Sequence, residues 1–405
     1  MKQKKIVVIN DLLPTEQPGA ASIAYRLFNE FKAESSARYW TTSVQPKSLI
    51  HENPDISLFG ISEDAARQSS RGLKHKLKRE YLSLAPLIWL YKQVRAERPS
   101  VVLVQQIGNR FPRTLIPLMN FMGVHVICTL HDFSWLVPRK LFPRDLKISS
   151  SEFLEKGKLE GSRQADNSIK REGSLLRHTV FRVRLFINRQ ILNHCASVIA
   201  ISQLQAEIYK SFGFKISTVI PNSVEKCSCK LPLETRRGNT ILLFAGRSYA
   251  KGLEDVFEIT QENPSTVLYL AGPADLLERA KSELNPDQFH YFGNLEPGDL
   301  YKLLHKIGFV VVLSECFDVY PTITLEALSH GALVLTNRNT GNSELVASIN
   351  PDMVIDDVAT LDFDALALMS TEIRDSKKFK EVQNRVSGDE MFLEYSRYVN
   401  RILTL

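Results

Sequence analysis

The stretch Ser314-Glu-Cys-Phe-Asp-Val-Tyr-Pro-Thr-Ile-Thr-Leu-Glu-Ala-Leu-Ser-His-Gly331 carries the densest set of side chains capable of chemistry. It follows an apolar run, passes through a Pro-containing turn and reads as opening a helix near Thr322 to Thr324. A helix that starts at the C-terminal end of a buried strand offers free backbone N–H groups and the positive end of its dipole, and so favours anions. Asp318 precedes the turn, and Glu326 stands eight residues later, about one turn into the helix. Two carboxylates flanking a diphosphate would accept hydrogen bonds from sugar hydroxyls at either end of a nucleotide-sugar. The same residues would equally serve as a capped helix with surface acids.

A second string, Ala245-Gly-Arg-Ser-Tyr-Ala-Lys-Gly252, also follows an apolar run. Arg247 and Lys251 would clamp a diphosphate and stabilise its charge as it leaves. The helix tip from Tyr320 to Thr322 completes that grip. In Cys128-Thr-Leu-His-Asp132, His131 could polarise a sugar hydroxyl, or be structural beside a capping Asp132. Trp135 is spaced to stack on a sugar or to fill a core. Gly19 in the first loop lets backbone approach a ligand closely, but the loop is no GxGxxG dinucleotide fingerprint. Asp362-Phe-Asp364 reads as a helix cap rather than a metal site. Cys227-Ser-Cys229 lacks the second cysteine pair of a zinc site.

The elements that must position these residues alternate. Lys5–Asn10, 101–104, 124–129 and 197–201 are short, β-branched and nearly all apolar, as expected of parallel strands buried on both faces. Helical spacing separates them, for example Ile23, Leu27, Phe28 and Phe31. The alternation restarts at 240–246, 266–272, 309–313 and 332–336. The fold class is therefore α/β, with two doubly wound Rossmann-like domains facing across a cleft. The expected boundaries are 1–221, with an insertion or loop at 138–175, then 222–387. A C-terminal helix over 388–405 is expected to cross back to the first domain. The chemical candidates all fall at strand C-termini, where open α/β sheets bind ligands.

Composition narrows the class. The 405 residues are 44% apolar and 24% charged, which excludes disordered and collagen-like chains. Five cysteines argue against a disulfide scaffold and for a reduced cytoplasmic setting. The net charge of +6 divides unevenly. Residues 1–220 carry 33 Lys+Arg against 18 Asp+Glu, and the remainder 18 against 27. Two basic stretches, Arg71 to Arg98 and Arg163 to Arg189, contain apolar patches that suit an anionic membrane surface or a lipid-phosphate acceptor. No recognition motif points to nucleic acid.

On these residues the sequence resembles family 4 glycosyltransferases of the GT-B fold, of the bacterial capsule, exopolysaccharide and lipopolysaccharide type. Asp318 through Glu326 resembles that family's E-x7-E signature with Asp at the first acid, and Glu326 through Gly331 its following helix. Gly246-Arg247 and Lys251-Gly252 resemble its diphosphate pair, one residue closer than usual. Ile220-Pro-Asn-Ser-Val-Glu225 resembles the segment that opens the second domain, and Thr129 to Asp132 the acceptor-side histidine segment. The resemblance implies a retaining, metal-independent hexosyltransferase. Arg247, Lys251, Gly19, Tyr320 and Thr322 would hold the donor diphosphate, and Glu326 the ribose. Asp318 would contact the sugar, with Glu315 as its possible substitute, and His131 would lie beside sugar and acceptor. The donor would be UDP- or GDP-linked, with no cofactor; the acceptor would be lipid-linked or a glycan. Two alternatives stay open: a sugar-nucleotide epimerase, and a silent GT-B subunit that binds a partner.

Overall fold

Continuous apolar runs become strands covered on both faces. The computed structural model describes residues 5–15, 19–43, 53–61, 73–136, 175–225, 237–244, 252–314, 317–355 and 357–404. Arg247, Lys251, Glu315, Cys227, Cys229 and the expected insertion as far as residue 174 lie outside those residues.

The first of two units comprises Met1–Pro138, Leu175–Pro221 and Met391–Leu405. Its described elements run β1 (Lys5–Asn10), α1 (Ala20–Glu34), β2 (Ser36–Ser43), β3 (Ile56–Gly60), α2 (Leu73–Tyr81), α3 (Leu84–Glu97), β4 (Val101–Gln106), α4 (Leu115–Phe121), β5 (His125–Leu130), α5 (Leu175–Leu192), β6 (Ser197–Ala200), α6 (Gln203–Ser211) and β7 (Thr218–Val219). The strands pair in parallel in the order β3-β2-β1-β4-β5-β6-β7. The order reverses between β1 and β4. Right-handed crossovers therefore set α1 on one face and α3, α4, α5 and α6 on the other.

The second unit, described within Asn222–Glu390, repeats the scheme. Its elements are β8 (Arg237–Phe244), α7 (Leu253–Glu262), β9 (Val267–Ala271), α8 (Asp275–Glu283), β10 (Phe289–Tyr291), α9 (Pro297–Leu304), β11 (Ile307–Val312), α10 (Thr322–Ser329), β12 (Leu333–Thr336), α11 (Ser343–Ile349), α12 (Phe363–Asp375) and α13 (Lys377–Val386). All pairing is parallel, in the order β10-β9-β8-β11-β12, and the reversal falls between β8 and β11. Asp362 caps α12 through the Ala365 N–H at 3.0 Å, the role its sequence position suggested.

The chain ends in α14 (Glu390–Ile402), which belongs with the first unit's core. Met391, Phe392, Tyr395, Val399 and Ile402 are buried there with Ile23, Leu27 and Phe31 of α1. The Phe31 and Phe392 rings meet edge-on at 4.9 Å. Burial of side chains of this kind contributes about 2 kcal/mol each.

Candidate active site

In an open parallel sheet the crevice lies beyond the strand C-termini where the order reverses. In the second unit that point is the pair β8 and β11. The loop after β8 returns to Gly252, which caps α7 at φ 80. A Cβ there would overlap the Leu313 carbonyl, so the backbone at Gly252 lies directly on the end of β11. The loop after β11 carries Asp318 and leads into α10, whose start has no side-chain cap. Gly252 therefore meets the end of the strand whose following loop carries Asp318 and leads to an uncapped helix N-terminus.

Asparagines hold the Asp318 loop from the next strand's loop. Asn337 and Asn339 donate their side-chain amides to the Ser314 carbonyl at 3.0 and 2.9 Å. Asn342 donates to the Pro321 carbonyl at 3.1 Å. The Asp318 N–H donates to Asn339 O at 2.9 Å, and its carbonyl accepts from the Gly341 N–H at 2.8 Å. The backbone of Asp318 is thus set on both sides, and its side chain is half-buried. The sequence reading did not anticipate these asparagines. Their signal was a run of turn-forming residues, Asn337 to Asn342, at the end of the neighbouring buried strand.

Glu326 lies on the same partly open face of α10 as Thr322, four residues earlier. Its carboxylate has no hydrogen-bond partner among the described residues, and burial pushes its pKa up to about 7. A largely buried carboxylate without such a partner is suited to accept donors from a ligand. Burial and the nearby Glu326 and Glu225 carboxylates raise the Tyr301 hydroxyl. The Tyr301 and His330 rings meet at 4.6 Å, which places both beside this helix. Tyr320 is buried, and burial raises its hydroxyl to about 12, so its contribution to an anion site is its backbone.

In the first unit, His131 follows β5. Its Nε2 lies 2.8 Å from Gln105 Oε1. Because that oxygen can only accept, Nε2 carries the proton and Nδ1 is the acceptor, with no hydrogen-bond partner among the described residues. Gln105 donates its amide to Thr129 Oγ1 at 3.2 Å, which meets the Tyr395 hydroxyl of α14 at 2.7 Å. Burial lowers the His131 pKa to about 4, against the pull of Asp132, so the ring is neutral at pH 7. Asp132 is structural: it accepts from the Ser134 N–H at 2.8 Å and from Gln106 at 3.2 Å. At this unit's own reversal, Asp11 accepts from the N–H groups of Asn109, Arg110 and Phe111 at 2.7, 3.2 and 2.7 Å. Burial nonetheless raises it to about 6. Asp11 ties the loop after β4 to the end of β1, and nothing in local spacing foretold it. Gly19 starts α1 at φ 87, a backbone geometry that suits glycine.

Trp135 does not offer a face for a sugar. The indole is 4% exposed, with the Arg113 guanidinium 4.2 Å from the ring centre. Arg113 and Arg184 both pair with buried Glu80 of α2 at 2.6 Å. Arg113 also donates to the Ser134 carbonyl at 2.9 Å, and Asn188 of α5 to the Trp135 carbonyl at 2.7 Å. Trp135 is thus part of a cluster that fixes the turn after His131. Such a cluster is costly to break: removing one partner of a buried ion pair typically destabilises by about 3–5 kcal/mol.

Among the described residues, no group of three or more His, Cys, Asp or Glu side chains is placed to hold a metal ion.

Residues 232–365 match the family of glycosyl transferases group 1. The matched segment contains the Arg247 to Gly252 string, Asp318 and Glu326. No curated protein matches the sequence. Solved structures similar over 99% of this chain include sucrose-phosphate synthase from Thermosynechococcus elongatus, with 12% identity, TM-score 0.69 and 100% of that chain covered. Anabaena HepE in complex with UDP and glucose is similar with 14% identity, TM-score 0.62 and 99% of that chain covered. A glycosyltransferase from Rickettsia africae is similar over the whole of this chain and 99% of its own, with 12% identity and TM-score 0.65. At these identities the likeness shows the fold: two doubly wound parallel sheets of the GT-B class.

Proposed function

We propose that the protein is a retaining, metal-independent glycosyltransferase that moves a hexose from a UDP- or GDP-linked sugar to a lipid-linked or surface-polysaccharide acceptor. The observation that carries this is the packing of Gly252 on Leu313 at the end of β11, the strand whose following segment carries Asp318 and leads to the uncapped start of α10. The match of 232–365 to glycosyl transferases group 1 covers the same segment. HepE, similar in fold, holds UDP and glucose, which supports a nucleotide-sugar donor.

In this reading Arg247 and Lys251 hold the diphosphate, aided by the backbone from Tyr320 to Thr322 and by the Gly19 loop. Glu326 accepts from ribose hydroxyls, and Asp318, or Glu315 in its place, from the sugar. His131 stands on the acceptor side with Nδ1 available as an acceptor. The bond from the anomeric carbon to the diphosphate breaks as the acceptor oxygen bonds to the same face, and the departing diphosphate takes the acceptor proton. Cations and backbone dipoles set in advance around the leaving group lower that barrier. The reaction would run in the cytoplasm, at the inner face of the membrane.

Thermal-shift and calorimetric titration with UDP, GDP, ADP and their sugars test the proposal. A uridine or guanosine diphosphate should stabilise the protein, and Lys251→Ala should weaken that binding about tenfold or more, since a charged hydrogen-bond donor is lost. The corresponding monophosphate should be affected less. Absence of binding by every nucleotide diphosphate would refute it, as would donor hydrolysis unchanged in both Asp318→Ala and Lys251→Ala.

A further inference from the structure

The described helices α3, α4 and α5 share one face of the first unit's sheet, with α4 packed against both its neighbours. An ordinary surface helix turns polar residues outward. Here the outer stripe of α3 is Leu84, Ile88 and Tyr91, and that of α5 includes Val183 and Phe186. Leu84 is 69% exposed, Ile88 55% and Phe186 54%, while Phe121 at the end of α4 is 89% exposed. No described element covers them.

Among the described residues of these helices the exposed charges have one sign. Lys78, Lys92, Arg95 and Arg182 are exposed on α2, α3 and α5. These helices and α4 contain two acids in all, Glu80 and Glu97. Both are already paired: Glu80 with Arg113 and Arg184, and Glu97 with Lys5. Within the described parts of these helices, no further acid offsets the cations at the rim. Two copies of this chain meeting through the face would set like charges against each other, which disfavours self-association.

We infer that α3, α4 and α5 form a docking face for an anionic lipid bilayer, with Leu84, Ile88, Phe121 and Phe186 entering the headgroup layer and the cations meeting lipid phosphates. Exposed apolar side chains beside Lys and Arg are the composition that binds such interfaces. Attraction of each cation to an anionic leaflet is worth about a fivefold change in partitioning. Among the described residues no helix is long and apolar enough to cross a membrane, so the contact is with one leaflet. The docking rests on the proposed lipid-linked acceptor for what it would serve, whereas its test does not.

The test is flotation of the full chain with phosphatidylcholine vesicles, with and without phosphatidylglycerol. The protein should float with the anionic vesicles, far less with the neutral ones, and less as salt rises. Leu84→Glu with Phe186→Glu should reduce partitioning about tenfold or more, since an acid replaces an inserted apolar group. Lys92→Glu with Arg95→Glu should abolish the preference for anionic lipid. Equal flotation of the Leu84/Phe186 variant and the parent would overturn the proposal. So would a parent dimer in sedimentation that this variant disperses, with no vesicle binding. Nucleotide binding is measured on the same samples: if it fails in every form while flotation persists, the transferase reading falls and the docking face stands.

Discussion

Glu326 is largely buried and has no hydrogen-bond partner among the described residues, so its proton is held more tightly in the folded chain than in the unfolded one. Its folded pKa of about 7 exceeds the ordinary 4.5. The folded state therefore binds the extra proton, and stability from this group falls as pH rises from about 4.5 through about 7. Glu326→Gln should raise the stability of the free protein at pH 8 by about 2 kcal/mol, with no gain below pH 4.5, read by denaturant unfolding at the two pH values. Hydroxyl donors would favour the ionised form. Nucleotide binding near pH 6.5 should accordingly release protons, seen as calorimetric heats that depend on the buffer, and Glu326→Gln should remove that dependence. His131 gives the opposite slope. Its folded pKa of about 4 lies below 6.5, so its contribution is complete above pH 6.5 and lost as pH falls towards 4. His131→Asn should flatten the acid side of the stability profile between those values. At this scale the sequence was an uneven guide. Glu326 and His131 could be singled out because each follows a recognisable strand. Trp135 misled because what covers it, Arg113, comes from 22 residues upstream.

Among elements, the turn at Gly252 decides whether two loops can share one strand end. Its left-handed φ and the Leu313 carbonyl both exclude a side chain. Gly252→Ala should cost about 2 kcal/mol or more by strain and overlap, and should weaken nucleotide binding beyond what the lost stability explains. Gly298 in the first turn of α9 has open space around a Cβ, so Gly298→Ala is the control, expected to be neutral or stabilising by up to about 1 kcal/mol. Thermal unfolding with and without nucleotide compares the two. Strands such as β1, β4, β5 and β11 were legible because burial on both faces leaves unbroken apolar runs. Strands β2 and β3 were not: Ser36–Ser43 mixes Ser, Arg and Thr with Tyr39 and Trp40, and Ile56–Gly60 is short and only half-buried. The asparagine clamp from 337 to 342 escaped because its partners, Ser314 and Pro321, lie on another loop.

For the whole molecule, the restart of alternation after residue 220 was readable from pattern alone, since each half repeats short buried strands between amphipathic helices. The charge split was readable too, but not its arrangement. Only the fold shows that the two acids of α2 and α3 are paired, Glu80 with Arg113 and Arg184 and Glu97 with Lys5. Helix α14 has a further consequence. The polypeptide leaves the first unit after Pro221 and re-enters it at Met391, so a stretch some 170 residues further along the chain completes a core begun near residue 6. A chain still on the ribosome must wait with Ile23, Leu27 and Phe31 uncovered until residues 391–402 emerge. Truncation before residue 388 should therefore give a protein whose second unit still unfolds cooperatively while the first binds hydrophobic dye and is cut rapidly by protease. A stop introduced between the second unit and α14 would in this way damage a unit translated long before it.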